Sequence, residues 1–190
     1  VDIALADDLA DALTAQGCRV WLDRTNILVG DDGSIKLADF GYAAQLTEKK
    51  LSDLLDAPVD AIIMGDRGTI EEADKKRLTD WIEKGGVLIR FAGPRLAAQE
   101  DPLTPVGLRP TSRSLGSSFS WETPQRIANF KSSSPFFGVP KPTDVAVRQQ
   151  VLAQPSAELE SLTWAELEDG TPLVTARRLG SGELILLHVT

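Results

Sequence analysis

The chain of 190 residues holds one cysteine, Cys18, and one histidine, His188. A lone cysteine excludes an internal disulfide framework and a multi-cysteine metal site. No apolar run approaches the ~18 residues that a bilayer-crossing helix requires. The opening Val1-Asp2-Ile3 has neither an initiating methionine nor a basic leader, so the chain reads as an excised or processed piece. Internal repeats are missing, and so is any low-complexity tract beyond scattered serines. A basic excess is missing as well. The net charge is −8, and residues 1–80 carry 17 acidic against 9 basic side chains. Nucleic-acid binding needs a basic face to displace counterions, so the acidic half argues against it. The mildly basic stretch from Arg90 to Arg148 reads as solvated surface.

What is present suits one compact α/β domain over residues 1–190, large enough to bury roughly 70% of its unfolded surface without covalent staples. Its organising stretch runs from Asp60 to Pro94. Ala61–Met64 is a short apolar strand ended by Gly65-Asp66. Thr69 with Glu72 three residues on is a capping-box signature, which predicts a helix from Ile70. Ile70, Ala73, Leu78, Trp81 and Ile82 share a helical face, Gly85 is placed to stop it, and Val87–Phe91 is a second apolar strand. A β-α-β unit of this length implies parallel strands.

Ahead of this unit, the four-residue spacing of Leu5, Leu9 and Leu13 predicts a helix over Asp2–Gln16, stopped by Gly17. Cys18–Leu22 follows as a strand. Residues 26–42 read as a β-hairpin around Gly30-Asp31-Asp32-Gly33, and Thr47–Leu55 as a short helix. Residues 100–142 form a long proline- and serine-rich excursion, held to the domain by Phe119, Trp121, Phe130, Phe136 and Phe137, with a strand near Ser117–Trp121. Residues 143–190 are β-rich: Val145–Ala153, Thr163–Leu167, and a hairpin of Pro172–Leu179 and Glu183–Val189 around Gly180-Ser181-Gly182.

Two resemblances stand out. Asn26-Ile-Leu-Val-Gly-Asp-Asp-Gly-Ser-Ile-Lys-Leu-Ala-Asp-Phe-Gly41, continuing through Tyr42 to Thr47, resembles the segment between catalytic loop and activation loop of PAK-type serine/threonine kinases. The resemblance implies that Asn26 and Asp39 ligate Mg²⁺ on ATP. The rest of the kinase set is absent. Trp21 stands five residues before Asn26, where the family has its catalytic aspartate, and no glycine-rich phosphate loop precedes it.

The second resemblance rests on Trp81–Leu96, on Ser114-Leu-Gly and Ser120–Pro124, and on Gly170–Thr190. These stretches look like the soluble, class I glutamine amidotransferase-like domain of bacterial Bat-like membrane proteins. That likeness covers about residues 1–22 and 51–190. It implies a flavodoxin-like sandwich with a mostly parallel sheet, carrying the inserted β-hairpin and the β-rich C-terminal part. Amidotransferase chemistry needs a cysteine on a strand-to-helix elbow and a histidine oriented by an acid. Cys18 instead follows a helix stop, and Thr190 stands two residues after His188 where the acid is expected. Cys18 therefore reads as a small buried hydrophobe, and His188 as a strand residue near the sheet end.

The expectation is a non-enzymatic scaffold or interaction domain without a cofactor. Its partners would be proteins or neighbouring domains of a membrane-associated bacterial parent. A kinase segment in such a domain raises an engineered chimera. The alternative is a kinase-derived module binding Mg-ATP through Asn26 and Asp39. Asp66, Arg67 and Arg95 follow strand ends, where α/β sheets bind ligands, and together could grip a small anion. Glu166, Glu168 and Asp169 cluster beside a turn without a second ligand set. Trp21, Trp81, Trp121 and Trp164 read as core.

Overall fold

The structure is a computed structural model that describes residues 3–23, 55, 58–68, 70–114, 124–142 and 145–189. The kinase-like segment with Asn26 and Asp39, the expected strand at Ser117–Trp121, Thr69, and all of Thr47–Leu55 except Leu55 lie outside the described residues.

Helix α1 (Ile3–Ala15) leads through Gly17 and Cys18 into strand β1 (Val20–Asp23). Strand β2 (Ala61–Met64), helix α2 (Glu72–Glu83) and strand β3 (Val87–Phe91) form the β-α-β unit. A single helical turn, α3 (Pro94–Ala97), follows. Strands β4 (Leu108–Ser114) and β5 (Gln149–Ala153) pair antiparallel as a second, two-stranded sheet. Another short turn, α4 (Leu159–Leu162), precedes β6 (Thr163–Glu166), β7 (Pro172–Leu179) and β8 (Gly182–Leu187). The large sheet has the order β1-β2-β3-β8-β7-β6.

β1, β2, β3 and β8 run parallel, with Ile62 opposite Leu88 and Leu88 opposite Leu184. Period-two alternation sorts their side chains. Ile62, Met64, Leu88 and Leu184 meet Leu78 and Ile82 of α2 on one face. Ile63, Ile89 and Phe91 meet Leu9, Ala10 and Leu13 of α1 on the other. Buried on both faces, β2 is an unbroken apolar run, and β3 is one interrupted by Arg90.

The mostly parallel flavodoxin-like sandwich is not what forms. β7 and β6 extend the sheet antiparallel, and β4–β5 is antiparallel too. Among the described residues only α1 and α2 exceed four residues. The chain reverses at Gly180-Ser181, with Gly180 at φ 62°, so β8 pairs antiparallel with β7 on one side and parallel with β3 on the other.

Other expectations shift in detail. Helix α2 starts at Glu72, two residues late, because Ile70 is drawn into the core against β2 and β3. Gly85, at φ 116°, ends the helix as expected, its N–H donating to the Ile82 carbonyl. Cys18 lies in the turn before β1 and is half-buried rather than core. Strand β4 was hidden in the proline-rich excursion by Pro110. It tolerates the missing N–H because its register slips between Leu108 and Ser112.

The β-rich part nearly closes on itself. β8 pairs with β7 and β7 with β6. Ala128 N–H donates to the Glu166 carbonyl and Glu168 N–H to the Arg126 carbonyl. Gln125 and Val147 exchange both bonds, and Val151 N–H of β5 returns to the His188 carbonyl past the end of β8. Inside sit Ile127, Val147, Ala165, Leu167 and Leu173, with Phe130 and Phe136 against them; the Phe136 ring meets Trp164 edge-on at 6.0 Å.

The tip of the β7–β8 hairpin packs on the end of α2. Ser181 N–H donates to the Glu83 carbonyl, and a Cβ on Gly182 would overlap the carbonyl oxygens of Ile82 and Gly86. Gly182→Ala is therefore expected to cost roughly 1–3 kcal/mol, the range for overpacking a close approach. Urea unfolding measures it; a loss under about 0.5 kcal/mol, the surface-substitution range, contradicts the assigned approach.

Candidate functional site

The carboxyl ends of β2 and β3 carry the polar groups. Arg90, one residue before the end of β3, is fully buried on the α2 face. A guanidinium there needs an anion. Arg90 Nη1 donates to Asp101 Oδ2 at 2.8 Å, with both side chains essentially removed from solvent. Nη1 also reaches the Leu103 carbonyl at 3.4 Å, and Nη2 donates to the Arg67 carbonyl at 2.9 Å. Nε has no acceptor among the described residues. Asp101 folds its own loop: Oδ1 accepts from Leu103 N–H, and its carbonyl accepts from Thr104 Oγ1. Arg177 of β7 closes the loop from outside, its Nη2 donating to the Pro102 and Thr104 carbonyls.

Asp66 and Arg95 are brought together, but through the backbone of Arg95. Asp66 Oδ2 accepts from Arg95 N–H at 3.1 Å, and Oδ1 from Leu96 N–H at 2.8 Å. The buried carboxylate thus caps α3 from 30 residues away, satisfying amides its own helix start leaves open. Gly93 makes room: a Cβ there would collide with the Asp66 carboxylate. Arg67 contributes its carbonyl to Arg90, while the Arg95 side chain lies at the surface.

A cavity of about 520 Å³ opens beside this clamp. Leu96 and Ala97 of α3, the 98–107 loop, Pro110, Gln154 and Arg177 line it.

His188 is wholly buried where β8 ends. Nδ1 lies 3.0 Å from the Val151 carbonyl and Nε2 3.0 Å from Thr175 Oγ1. A carbonyl only accepts, so Nδ1 carries the hydrogen and Nε2 accepts from the threonine. Burial pushes the imidazole pKa down to about 4, opposed by the bond to Val151. Gln150, also buried, donates to the Pro172 carbonyl at 2.7 Å. Together they bolt β5 onto the large sheet.

Cys18 and His188 sit at opposite ends of that sheet. The cysteine precedes β1 and the histidine follows β8, while β1, β2, β3 and β8 run parallel. One strand length, on the order of 15 Å, separates those ends. Cys18 also lies off the carboxyl ends where such sheets place ligands.

The acidic trio is spoken for. Glu166 pairs with Lys131 at 2.6 Å, Glu168 with Lys141 at 3.3 Å, and Asp169 accepts from Thr171. Among the described residues no group of three metal-binding side chains gathers. Trp81 is half-buried against the α2-side core, its Nε1 donating to the Val59 carbonyl. At the amino ends, Arg19 grips Asp60 through two side-chain bonds and holds its carboxyl down to about 2. Arg90 and Asp101 escaped the sequence reading, although a charge inside Val87–Phe91 was a visible signal.

Comparisons with known proteins add local and architectural likeness. No family model matches. A 25-residue stretch, 13% of the chain, is 80% identical to the serine/threonine-protein kinase pakB of Dictyostelium discoideum, and covers 3% of that kinase. A stretch of the same length is 72% identical to its pakC. The short kinase-like segment is thus real as sequence. In structure, 70% of the chain superposes on a cold-adapted β-galactosidase from Rahnella sp. R3, with TM-score 0.51 and 14% identity, and spans 20% of that enzyme. A cytoplasmic protein of Salmonella typhimurium LT2 is matched over 74% of this chain and 63% of its own, with TM-score 0.51 and 15% identity. At such identities the likeness is one of fold, and it departs from the flavodoxin-like expectation as the mixed sheet does. No helix among the described residues is long and apolar enough to cross a membrane.

Two outcomes follow from the buried polar groups. Arg90→Met or Asp101→Leu alone strands a buried charge and is expected to cost about 3–5 kcal/mol, while the double variant recovers much of it. Urea unfolding of the four proteins decides, and single losses below about 1 kcal/mol would mean the pair is screened like a surface bridge. For His188 the folded pKa lies below the unfolded value of about 6.5. As pH falls, the unfolded chain therefore protonates first. This contribution is complete above about pH 6.5 and fades toward pH 4, by roughly 3 kcal/mol in all. His188→Asn should flatten that part of the stability–pH curve; an unchanged slope refutes the assignment.

Proposed function

We propose that this chain is a non-catalytic α/β domain serving as a scaffold or interaction module within a larger protein. The observation that carries the reading is the placement of Cys18 and His188 at opposite ends of the parallel strands. A thiol nucleophile needs its base within hydrogen-bond reach. The engagement of Asp66, Arg90, Asp101 and His188 in holding the chain together points the same way. That a comparable architecture makes up a fifth of a longer protein supports a role as one part of a larger chain.

In this reading the parent is a bacterial membrane-associated protein of the Bat-like, amidotransferase-related kind, as the stretches Trp81–Leu96 and Gly170–Thr190 suggest. The kinase-like segment from Asn26 is then foreign to it, and the chain an engineered chimera. The partners are proteins or neighbouring domains of the parent.

A second reading draws on the 80% identity to pakB: a nucleotide-binding module holding Mg-ATP through Asn26 and Asp39. Function resides in complete sites, and 25 residues supply a fraction of a kinase site. Two assays separate the readings. The scaffold reading expects no glutamine hydrolysis and no heat on titration with Mg-ATP. Hydrolysis abolished by Cys18→Ala would overturn it, and Mg-dependent heat lost in Asp39→Ala would establish the second reading.

A further inference from the structure

We propose that the cavity beside α3 binds a free α-amino acid with an apolar side chain, its carboxylate on Arg177 and its ammonium on Glu100. The cavity lies past the carboxyl end of β3, where sheets with parallel strands place their ligands. Its volume of about 520 Å³ suits a small molecule.

Charge selects the class. Three ionised side chains line the cavity: Glu100, Asp101 and Arg177. Asp101 is neutralised from behind by Arg90 at 2.8 Å. What remains is one cation and one anion. A purely anionic or purely cationic ligand would leave one of them unmatched, whereas a zwitterion satisfies both. Arg177 commits Nη2 to the Pro102 and Thr104 carbonyls, which fixes the guanidinium in the wall and leaves Nε and Nη1 to donate to a carboxylate. The exposed Glu100 carboxylate makes no hydrogen bond or ion pair among the described residues. Gln154 also lines the cavity and donates Nε2 to the Leu108 carbonyl, which fixes its amide while Oε1 stays an acceptor beside Gly107. Ala98, Pro102 and Pro110, all accessible, supply the apolar wall for the side chain.

The test is a thermal shift with L-leucine, 4-methylpentanoate and 3-methylbutylamine, which carry both charges, the carboxylate alone and the amine alone. With a Kd of about 1 mM, L-leucine at about 10 mM is expected to raise the midpoint by about 3 °C, and the two single-charge analogues by less than about 1 °C. Glu100→Gln should leave the unliganded midpoint unchanged, because the carboxylate holds nothing in the chain, yet abolish the shift. Arg177→Gln should abolish it too. No shift with L-leucine overturns the proposal. So does an equal shift with 4-methylpentanoate, or a shift that survives Glu100→Gln.

Discussion

The Arg90–Asp101 pair sets the form of one end of this molecule. β3 lies in the middle of the sheet and is covered on both faces, so a cation within it must carry its anion into the core. Moving either charge out of water costs several kcal/mol, and the cost falls only if the partner arrives in good geometry with further bonds around it. The chain meets that demand by folding the loop after α3 back over the strand end. Asp101 reaches Arg90, its loop turns on Leu103 N–H and Thr104 Oγ1, and the guanidinium also takes the Arg67 carbonyl after β2. Asp66 in the same turn caps α3. The cavity wall follows from these bonds, since loop 98–107 hangs from them on one side and from Arg177 on the other.

Polar groups that resemble chemistry in a list of residues serve architecture in three dimensions. His188 is held neutral, with its tautomer set by a carbonyl and a threonine, and it joins β5 to the large sheet. The pair therefore fixes loops, and the histidine fixes sheets. Neither leaves a base beside the only thiol, which lies at the other end of the strands. The cavity is lined by two charged side chains, Glu100 and Arg177, whose bonding capacity is not exhausted among the described residues.

Local pattern made the β-α-β unit legible. Ala61–Met64 is the continuous apolar run of a doubly buried strand, Val87–Phe91 is one broken by Arg90, and Gly85 adopts the left-handed stop its position implied. The β7–β8 hairpin was equally readable from Gly180-Ser181-Gly182, although why Gly182 must lack a side chain became visible only against α2. Strand direction at long range was not legible. Nothing within β7 tells that β8 returns to lie along β3, so the resemblance-based parallel sandwich failed there. Pro110 concealed β4, because a proline counts against a strand unless a register slip excuses it. For the site, Asp66 and Arg95 both follow strand ends, and the bond between the Asp66 carboxylate and the Arg95 backbone amide carries no sequence signature. Arg90 stood in plain view within an apolar strand; its partner, eleven residues on in a proline-rich stretch, did not.

The central claim is that one buried ion pair holds the loop that builds the cavity. Amide hydrogen exchange on Asp101→Asn against the wild-type chain tests it most directly. The account predicts lost protection confined to residues 66–68 and 96–108, with α1 and the amides of β6 and β7 unchanged. Protection retained at Leu103 and Ala97, or lost evenly across the sheet, would contradict it.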